Sequence, residues 1–374
     1  MTHHYLRRGK LALLVGMAAW ASAGAAVAGE KWTFGPEASL TIGAGLRASF
    51  VYNDDDPTGE DSDFSLNSAR IFTSGQFTKI IGFTFNTEID RDNDGDINDI
   101  RMMDAIVRLE FSDYFNIWGG RMLAPSDRAN LDGPYYAGTW EYPFVSAYPQ
   151  IFQGRDNGVA VWGQTGGGKF KYQVGAFTGC AEDDNSCYNP DTDAPLITGR
   201  LTYNFWDPEA GYYTSSDYYG EKEILAVGLV GQYQADAATD GFSNGDFSGF
   251  NVDFLMQKRV FGSHVFTLEG AYYVYDTDGI DTGGLNGNGL ADGNSFFVLT
   301  SFLIDHKIGF GKFQPVFRYQ EFEFDNGPEV SEWSVGTNYI IKGHDLRLSA
   351  IYSETDTDGL ETVNRFITGV QLQF

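Results

Sequence analysis

The chain has 374 residues, with 51 Asp and Glu against 25 Lys and Arg, and a formal net charge of −26. A chain this acidic repels the phosphate backbone, which excludes nucleic acid as a partner. It has only 2 Cys and no Cys-x-x-Cys-His motif, so neither a disulfide-dense scaffold nor covalent haem is expected.

Residues 1–28 have the features of a cleaved export signal. They begin with three cations and no acid, continue with the short apolar core Leu11–Ala21, and reach a small-residue cleavage site at Ala26–Ala28. No later stretch has about 18 consecutive apolar residues, so no membrane-spanning helix is expected. We therefore expect an exported mature chain, 29–374, that forms one domain.

Two-residue alternation of apolar and polar side chains dominates the mature chain. Near residue 85, for example, Ile81, Phe83 and Phe85 fall on one face, and Thr84 and Asn86 fall on the other. This pattern predicts sixteen strands, at 39–52, 65–77, 81–90, 100–111, 115–122, 157–164, 169–177, 195–205, 223–235, 247–258, 264–275, 294–304, 312–323, 332–341, 345–353 and 364–374. The mean hydropathy of −0.27 does not oppose a membrane barrel, because alternation hides the apolar face from averages.

The connections between these strands alternate in length. Short turns follow the even-numbered strands, and longer acidic loops follow the odd-numbered ones, which is the asymmetry of outer-membrane barrels. The fold class predicted is therefore all-β, a transmembrane antiparallel β-barrel of about 16 strands. Trp206–Lys222 breaks the rule because it is long yet follows an even strand; either it contains a small hairpin, or the strand count is off by two.

The longest connection, 123–156, is the third long loop. Four prolines exclude a strand, and its many aromatic residues favour packing over disorder. A loop of this length in a compact fold is usually functional. We predict that it folds inward as a constriction loop and does not lie over the outside as a lid.

The chain ends on a strand, 365–374, that alternates strictly and closes on Phe374. It resembles the C-terminal strand of bacterial outer-membrane β-barrels, where the terminal aromatic residue acts as an insertion signal. The resemblance implies an outer-membrane location among lipid and lipopolysaccharide, and insertion by the barrel-assembly machinery.

Five further segments carry a family resemblance: Ser68–Gly75, Asp104–Leu109, Trp118–Pro125, Arg155–Gly163 and Gly199–Thr202. In order and spacing they resemble the porin O and P family, the phosphate-selective porins. The resemblance implies a sixteen-strand barrel, usually a homotrimer, with a constriction loop after the fifth strand.

The sequence departs from the phosphate-selective members in its charge. Those members pass anions along a lumenal ladder of arginines and a cluster of lysines, whereas acids predominate here and the 123–156 loop contains no lysine. We therefore expect a passive diffusion channel for small ions and polar solutes, with a weak preference for cations and no cofactor. The alternatives are a phosphate- or anion-selective porin and a barrel that sheathes an electron-transfer cytochrome.

With apolar faces toward lipid, the charged residues of the opposite faces point into the lumen. The predicted pore and constriction residues are Arg47, Arg70, Glu88, Asp104, Arg108, Glu110, Asp127, Arg128, Asp132, Glu141, Arg155, Arg318 and Arg347. Individually they keep the lumen wet. As a set, wall arginines opposite an acidic loop would create a transverse field that orders polar solutes by charge and dipole.

A calcium loop is a second, weaker hypothesis. Asp90, Asp92, Asp94 and Asp96 fall in a segment that matches the first half of a calcium-binding loop, although Arg101 stands where a bidentate glutamate belongs. Acidic external turns without calcium remain the alternative.

Two other motifs bear on chemistry. Cys180 and Cys187 are close in sequence in an oxidising compartment, which predicts a local disulfide. Gly241–Gly245 matches a nucleophile-elbow pattern, but its polar, glycine-rich surroundings predict a loop. No catalytic residues and no enzyme activity are expected.

Overall fold

The computed structural model describes residues 29–54, 61–91, 97–281 and 290–374, so the proposed signal segment lies outside the described residues. The regular secondary structure of the described residues is almost wholly β-strand. They are β1 (Glu30–Phe34), β2 (Ala38–Asn53), β3 (Asp61–Gln76), β4 (Ile81–Arg91), β5 (Ile97–Ser112), β6 (Phe115–Leu123), β7 (Arg155–Thr165), β8 (Phe170–Phe177), β9 (Leu196–Asn204), β10 (Ile224–Thr239), β11 (Asn244–Val260), β12 (His264–Asp276), β13 (Gly293–Leu303), β14 (Lys312–Phe324), β15 (Glu329–Lys342), β16 (Leu346–Thr357) and β17 (Val363–Gln373).

Strands β2 to β17 form a closed antiparallel barrel. Each pairs with the next, and the ring closes between β17 and β2, where Arg365 lies opposite Asn53 and Gln373 lies opposite Gly45. The predicted sixteen-strand barrel is confirmed. The sequence pattern missed β1, which pairs with residues 38–42 of β2, just beyond the point where β17 ends.

The alternation of side chains separates the two faces of the wall. On β8, Phe170 and Val174 are exposed on the outside, whereas Lys171 and Gln173 are buried inside the barrel. The same period of two puts apolar residues outward on the other strands, as a lipid-facing surface requires.

Helical structure is minor. A single turn of helix, α1 (Arg128–Asp132), and a 3-10 turn at Gly179–Ala181 lie in the connections. In the ranges that the structure describes, no helix is both long enough and apolar enough to cross a membrane.

The two adjacent glycines of β6, Gly119 and Gly120, lie in regular pairing with β5 and form no bulge. The pairing with β5 runs without a shift from Ala105 opposite Arg121 to Glu110 opposite Asn116. Gly120 is needed because its φ is +128° and a Cβ there would lie 2.0 Å from the carbonyl oxygen of Ala105.

Three of the four longest loops, 124–154, 178–195 and 277–292, lie at one end of the barrel, as expected of the extracellular end, and we call the opposite end the short-turn end. The predicted alternation in length is confirmed only in part, because the connections 240–243 and 325–328 at the long-loop end have four residues each, whereas 304–311 at the short-turn end has eight.

The segment 205–223, between β9 and β10, lies at the short-turn end. It contains no strand in the structure, so neither a hidden hairpin nor a wrong strand count explains its length; most of Tyr212–Asp217 is buried instead.

Phe374 extends the seam that closes the barrel. Its backbone N–H donates to the carbonyl of Ala44 at 3.0 Å, its own carbonyl accepts from the N–H of Ala44 at 3.1 Å, and its ring is 65% exposed on the outside. We expect deletion of Phe374 to lower the amount of assembled barrel, since both the bonds and the ring are lost. Phe374→Ala keeps the bonds, so heat-modifiable protein in outer-membrane fractions separates the two effects. Equal levels for both variants and the wild type would contradict the role of the ring as an insertion signal.

Candidate functional site: the constricted lumen

The connection between β6 and β7 runs through the interior of the barrel. Nearly every residue from Met122 to Tyr135 is buried. α1 begins inside this stretch, where the Asp127 carboxylate accepts a hydrogen bond from the N–H of Asn130 at 3.2 Å. We call residues 124–154 the constriction loop.

Wall arginines hold the constriction loop by its backbone. Arg347 of β16 donates to the carbonyl of Ala137 at 2.7 Å and to that of Thr139 at 3.2 Å. Arg318 of β14 donates to the carbonyl of Glu141 at 2.7 Å. Arg47 of β2 donates to the carbonyl of Trp140, and its guanidinium lies 4.0 Å from the centre of the Trp140 ring. These arginines therefore act as anchors for the loop.

Two wall glycines allow the loop to lie directly on the barrel. A Cβ at Gly45 of β2 would lie 2.6 Å from the ring of Tyr135, and one at Gly369 of β17 would lie 2.5 Å from the ring of Trp140. Any larger side chain at these positions would displace the loop from the wall. This part of the loop therefore lies against the wall formed by β14 to β17 and β2, whereas Tyr148 and Val145 contact Asn251 of β11 and Ser295 of β13, respectively.

The acids of the constriction loop do not pair with these three arginines. Glu141 pairs with a different wall arginine, Arg365 of β17, whose Nη1 donates to both carboxylate oxygens at 2.7 and 2.8 Å. Asp127 instead accepts from the hydroxyl of Tyr273 on β12, and Asp132 contacts the hydroxyl of Ser216.

These contacts do not test the predicted transverse field, which stays a prediction. Ser216 also contacts Glu269 of β12 at 2.8 Å, so Asp132 lies near another acid. Arg47, Arg318 and Arg347 donate to loop carbonyls and not to these loop carboxylates, which a pattern of side chains cannot reveal.

The connection 205–223 also folds into the lumen, from the opposite end. Its Glu209 makes a buried, two-pronged ion pair with Arg128 of α1, with both N–O distances 2.7 Å, and Arg128 also donates to the carbonyl of Ser215 at 2.8 Å. Burial alone would raise the pKa of Glu209, but the Arg128 guanidinium outweighs it and lowers the pKa to about 2. We call residues 205–223 the brace, because this segment contacts the constriction loop from the short-turn end of the barrel.

Further contacts fix the brace between the wall and the loop. The Tyr212 hydroxyl donates to the carbonyl of Leu123 at 3.0 Å, and its ring stacks on Trp118 of β6 at 4.9 Å between centroids. The two ring nitrogens of His344, in the turn before β16, lie 3.2 Å from the Tyr135 carbonyl and 2.9 Å from the Asp217 carbonyl. His344 thus links the loop, the brace and the barrel.

The lumen contains a cavity of about 900 Å³ on one side of the barrel. It runs along the inner faces of β2 to β7 from the short-turn end to the constriction loop, which bounds it together with residues 210–213 of the brace. Six of the predicted pore residues line it: Arg70, Asp104, Arg108, Glu110, Asp132 and Arg155. The other predicted arginines, together with Asp127 and Glu141, hold the loop, and Glu88 lies behind Arg70.

The arginines of this cavity are paired with acids of the same wall. Arg155 Nε lies 3.1 Å from Asp104 Oδ1, Arg108 Nη1 lies 3.5 Å from Glu110 Oε1, and Arg70 pairs with Glu88. The charged residues that line the cavity are balanced, with four cations (Lys31, Arg70, Arg108 and Arg155) and four acids (Asp104, Glu110, Asp113 and Asp132).

Comparisons with known proteins agree with this architecture. The family model described as phosphate-selective porin O and P matches residues 40–212, just under half of the chain. No curated protein matches the sequence.

Among solved structures, the anion-selective porin from Comamonas acidovorans is similar with a TM-score of 0.62 at 14% identity, covering 90% of this chain and 100% of its own. The outer membrane channel DcaP of Acinetobacter baumannii is similar with a TM-score of 0.59 at 11% identity, covering 93% and 100%. OmpT of Vibrio cholerae, in a trimer form, is similar with a TM-score of 0.57 at 12% identity, covering 91% of this chain and 100% of its own.

The closed sixteen-strand barrel and the family match together decide the class. The protein is an outer-membrane porin. It resembles the O and P family, as the motif series predicted, and at these identities the solved structures establish the fold alone.

The calcium hypothesis stays a prediction for this porin. Of the four aspartates of the motif, only Asp90 is described, and its carboxylate pairs with Arg101 at 3.2 Å; Asp92, Asp94 and Asp96 lie outside the described residues. The cation at the twelfth position thus contacts the first ligand of the motif.

The two remaining motifs lie in connections at the long-loop end. The structure places a disulfide between Cys180 and Cys187, with the Cα atoms 4.9 Å apart. The Gly241–Gly245 pattern lies in the turn between β10 and β11, with Phe242 97% exposed. A nucleophile elbow needs a helix after the serine, whereas β11 follows here.

Sequence reasoning missed the brace residues Glu209, Tyr212 and Ser216, and the role of His344 beside them. The only signal was the unusual length of 205–223 at an end that otherwise carries short turns. Its buried contacts join residues far apart along the chain, such as Arg128 and Glu209, which are separated by 81 positions.

Proposed function

We propose that this porin is a passive, water-filled diffusion channel for small ions and polar solutes, with a weak preference for cations. The observation that carries the proposal is the cavity along β2 to β7, which the constriction loop and the brace narrow without filling. Lumenal charges are tolerated in such a path because water solvates them, whereas on the lipid face each would cost about 2–4 kcal/mol near the midplane.

The charge of the long-loop end supports a preference for cations. Apart from Arg128, the connections at the long-loop end contain no Lys or Arg, while acids recur in them. An acidic mouth raises the local concentration of cations. The cavity itself has balanced charge, so the preference arises at the mouth and is weak.

Reversal potentials across a planar bilayer in a potassium chloride gradient test this proposal. We expect a modest potassium preference at roughly 0.15 M salt, where the screening length is about 8 Å. The preference should be lost near roughly 1 M salt, where the screening length is about 3 Å. The rim variant Glu182→Gln, Asp183→Asn, Asp184→Asn should move the potential toward anions. Its matched control, Glu37→Gln, Glu221→Gln and Glu223→Gln at the short-turn end, removes the same number of charges and should move the potential less.

The alternative is an anion- or phosphate-selective porin, which the description of the matched family and the anion selectivity of the Comamonas porin favour. A wild-type preference for anions, with chloride current blocked by micromolar phosphate, would replace the first proposal with this one. A sheath for a cytochrome has less support, because segments of the chain itself occupy much of the described lumen.

We also propose that the porin assembles as a homotrimer in the outer membrane, inserted by the barrel-assembly machinery among lipid and lipopolysaccharide. The trimer form of the Vibrio cholerae structure supports this. The mass of the protein after gentle detergent extraction tests it.

A further inference from the structure

The ion pairs of the cavity wall present a donor and an acceptor side by side. In the pair of Arg155 and Asp104, the arginine uses Nε on Asp104 and Nη1 on the carbonyl of Gln153. The Asp104 carboxylate accepts from Arg155 at 3.1 Å and from Asn86 at 2.8 Å. A guanidinium has five N–H donors and a carboxylate about four acceptor sites, so both groups retain unused hydrogen-bonding capacity. Both residues line the cavity, where Arg155 is 6% and Asp104 is 2% exposed, so a solute reaches them only from the cavity side.

This arrangement disfavours solutes with a single charge. An anion that approaches Arg155 also approaches the carboxylate of Asp104, and a cation at Asp104 meets Arg155. Attraction and repulsion of similar size cancel at such distances, while the solute still gives up hydration as the cavity narrows. An ion therefore gains little from the wall.

A zwitterion is complementary to the same wall. In an α-amino acid the carboxylate and the ammonium group are about 3 Å apart, which matches the spacing of a charge-assisted hydrogen bond between the paired groups. Aligned antiparallel to the pair, its carboxylate accepts from Arg155 while its ammonium donates to Asp104. Phe72 and Trp118, which also line the cavity, offer apolar surface to the rest of the solute.

We propose that the cavity is a low-affinity binding site for small zwitterionic solutes, centred on Arg155 and Asp104, through which the porin favours their passage. The proposal rests on the channel function above and names its solute class. The neighbouring pair of Arg108 with Glu110, whose members both line the cavity, repeats the same chemistry.

Block of potassium current by added solutes tests the proposal on the wild-type porin. The probes are serine, lactate, which lacks the ammonium, ethanolammonium, which lacks the carboxylate, and uncharged glycerol. We expect half-block by serine at a concentration about tenfold lower than by either single-charge probe, as one additional charge-assisted contact implies. Equal block by serine and a single-charge probe would overturn the proposal, whereas the absence of any potassium current would instead contradict the channel function.

Substitutions of the pair give a second, independent measurement. Asp104→Asn removes the carboxylate that pairs with Arg155, so lactate should become a stronger blocker than serine. Asp104→Asn with Arg155→Gln should remove the difference among the probes. The matched control is Asp305→Asn with Lys312→Gln, an ion pair at the short-turn end outside the cavity, and it should behave as the wild type. An unchanged order of block in assembled Asp104→Asn channels would refute the site.

Discussion

Deletion of residues 130–138 is expected to raise the single-channel conductance of the porin several-fold. This block contains most of α1 and the stretch whose carbonyls at Tyr135, Ala137 and Gly138 accept hydrogen bonds from the wall. Removing it takes side chains out of the lumen and widens the path beyond the β2 to β7 side. The effect is large because conductance rises with the cross-section of the narrowest part of a pore.

The measurement is single-channel conductance at high salt in planar bilayers, where surface charge is screened. A matched control is replacement of the exposed turn 240–243 by a shorter one, which removes chain from the same end but not from the lumen. It should leave conductance near its starting value. If correctly assembled deletion channels conduct like the wild type, residues 130–138 do not narrow the path.

The barrel wall could be predicted from the sequence because its physics is local. Successive residues of each strand face lipid and lumen in turn. The apolar and polar alternation near Phe83 and Phe85 can therefore be read from the sequence without knowing the partner strand. β1 escaped prediction since Glu30–Phe34 is short and lies beside the end of β17, where no lipid-facing alternation is imposed.

The inward position of the constriction loop was predictable from length and composition, but its attachment was not. The alternation puts Arg47, Arg318 and Arg347 on the lumen side of the wall, and the structure agrees. Their partners are backbone carbonyls of Trp140, Glu141 and Ala137, and every residue has a carbonyl, so nothing in the sequence distinguishes those chosen.

The contacts of the brace could not be predicted from the sequence either, because they join residues that lie far apart along the chain. The length of the brace is anomalous for a turn, yet the sequence suggests only extra strands or a miscount, because a turn-side segment that folds into the lumen leaves no periodic signal. Glu209 and Ser216 acquire their roles only when α1 is brought against them by the closure of the barrel. The sequence therefore predicts where the path lies less well than it predicts the wall around it.

The buried pair of Arg128 and Glu209 should be the most sensitive point of the lumen. Glu209→Gln removes the carboxylate that pairs with the Arg128 guanidinium, in a place where both side chains are about 1% exposed. Breaking such a pair by removing one partner typically costs about 3–5 kcal/mol. We expect the folded barrel to convert to the unfolded form at a clearly lower temperature on gels, and the current through single channels to become noisier as the constriction loop loosens.

Two variants separate this effect from a general loss of charge. Arg128→Met with Glu209→Leu removes both charges and keeps apolar volume, so it should recover most of the lost heat resistance, since a buried ion pair is often replaceable by packed apolar side chains. Asp345→Asn breaks the exposed pair of Lys342 and Asp345, which is worth at most about 1 kcal/mol, and should change little. If Glu209→Gln kept both the conversion temperature and the quiet current of the wild type, the brace would not support the loop, and the constriction would depend on the wall arginines alone.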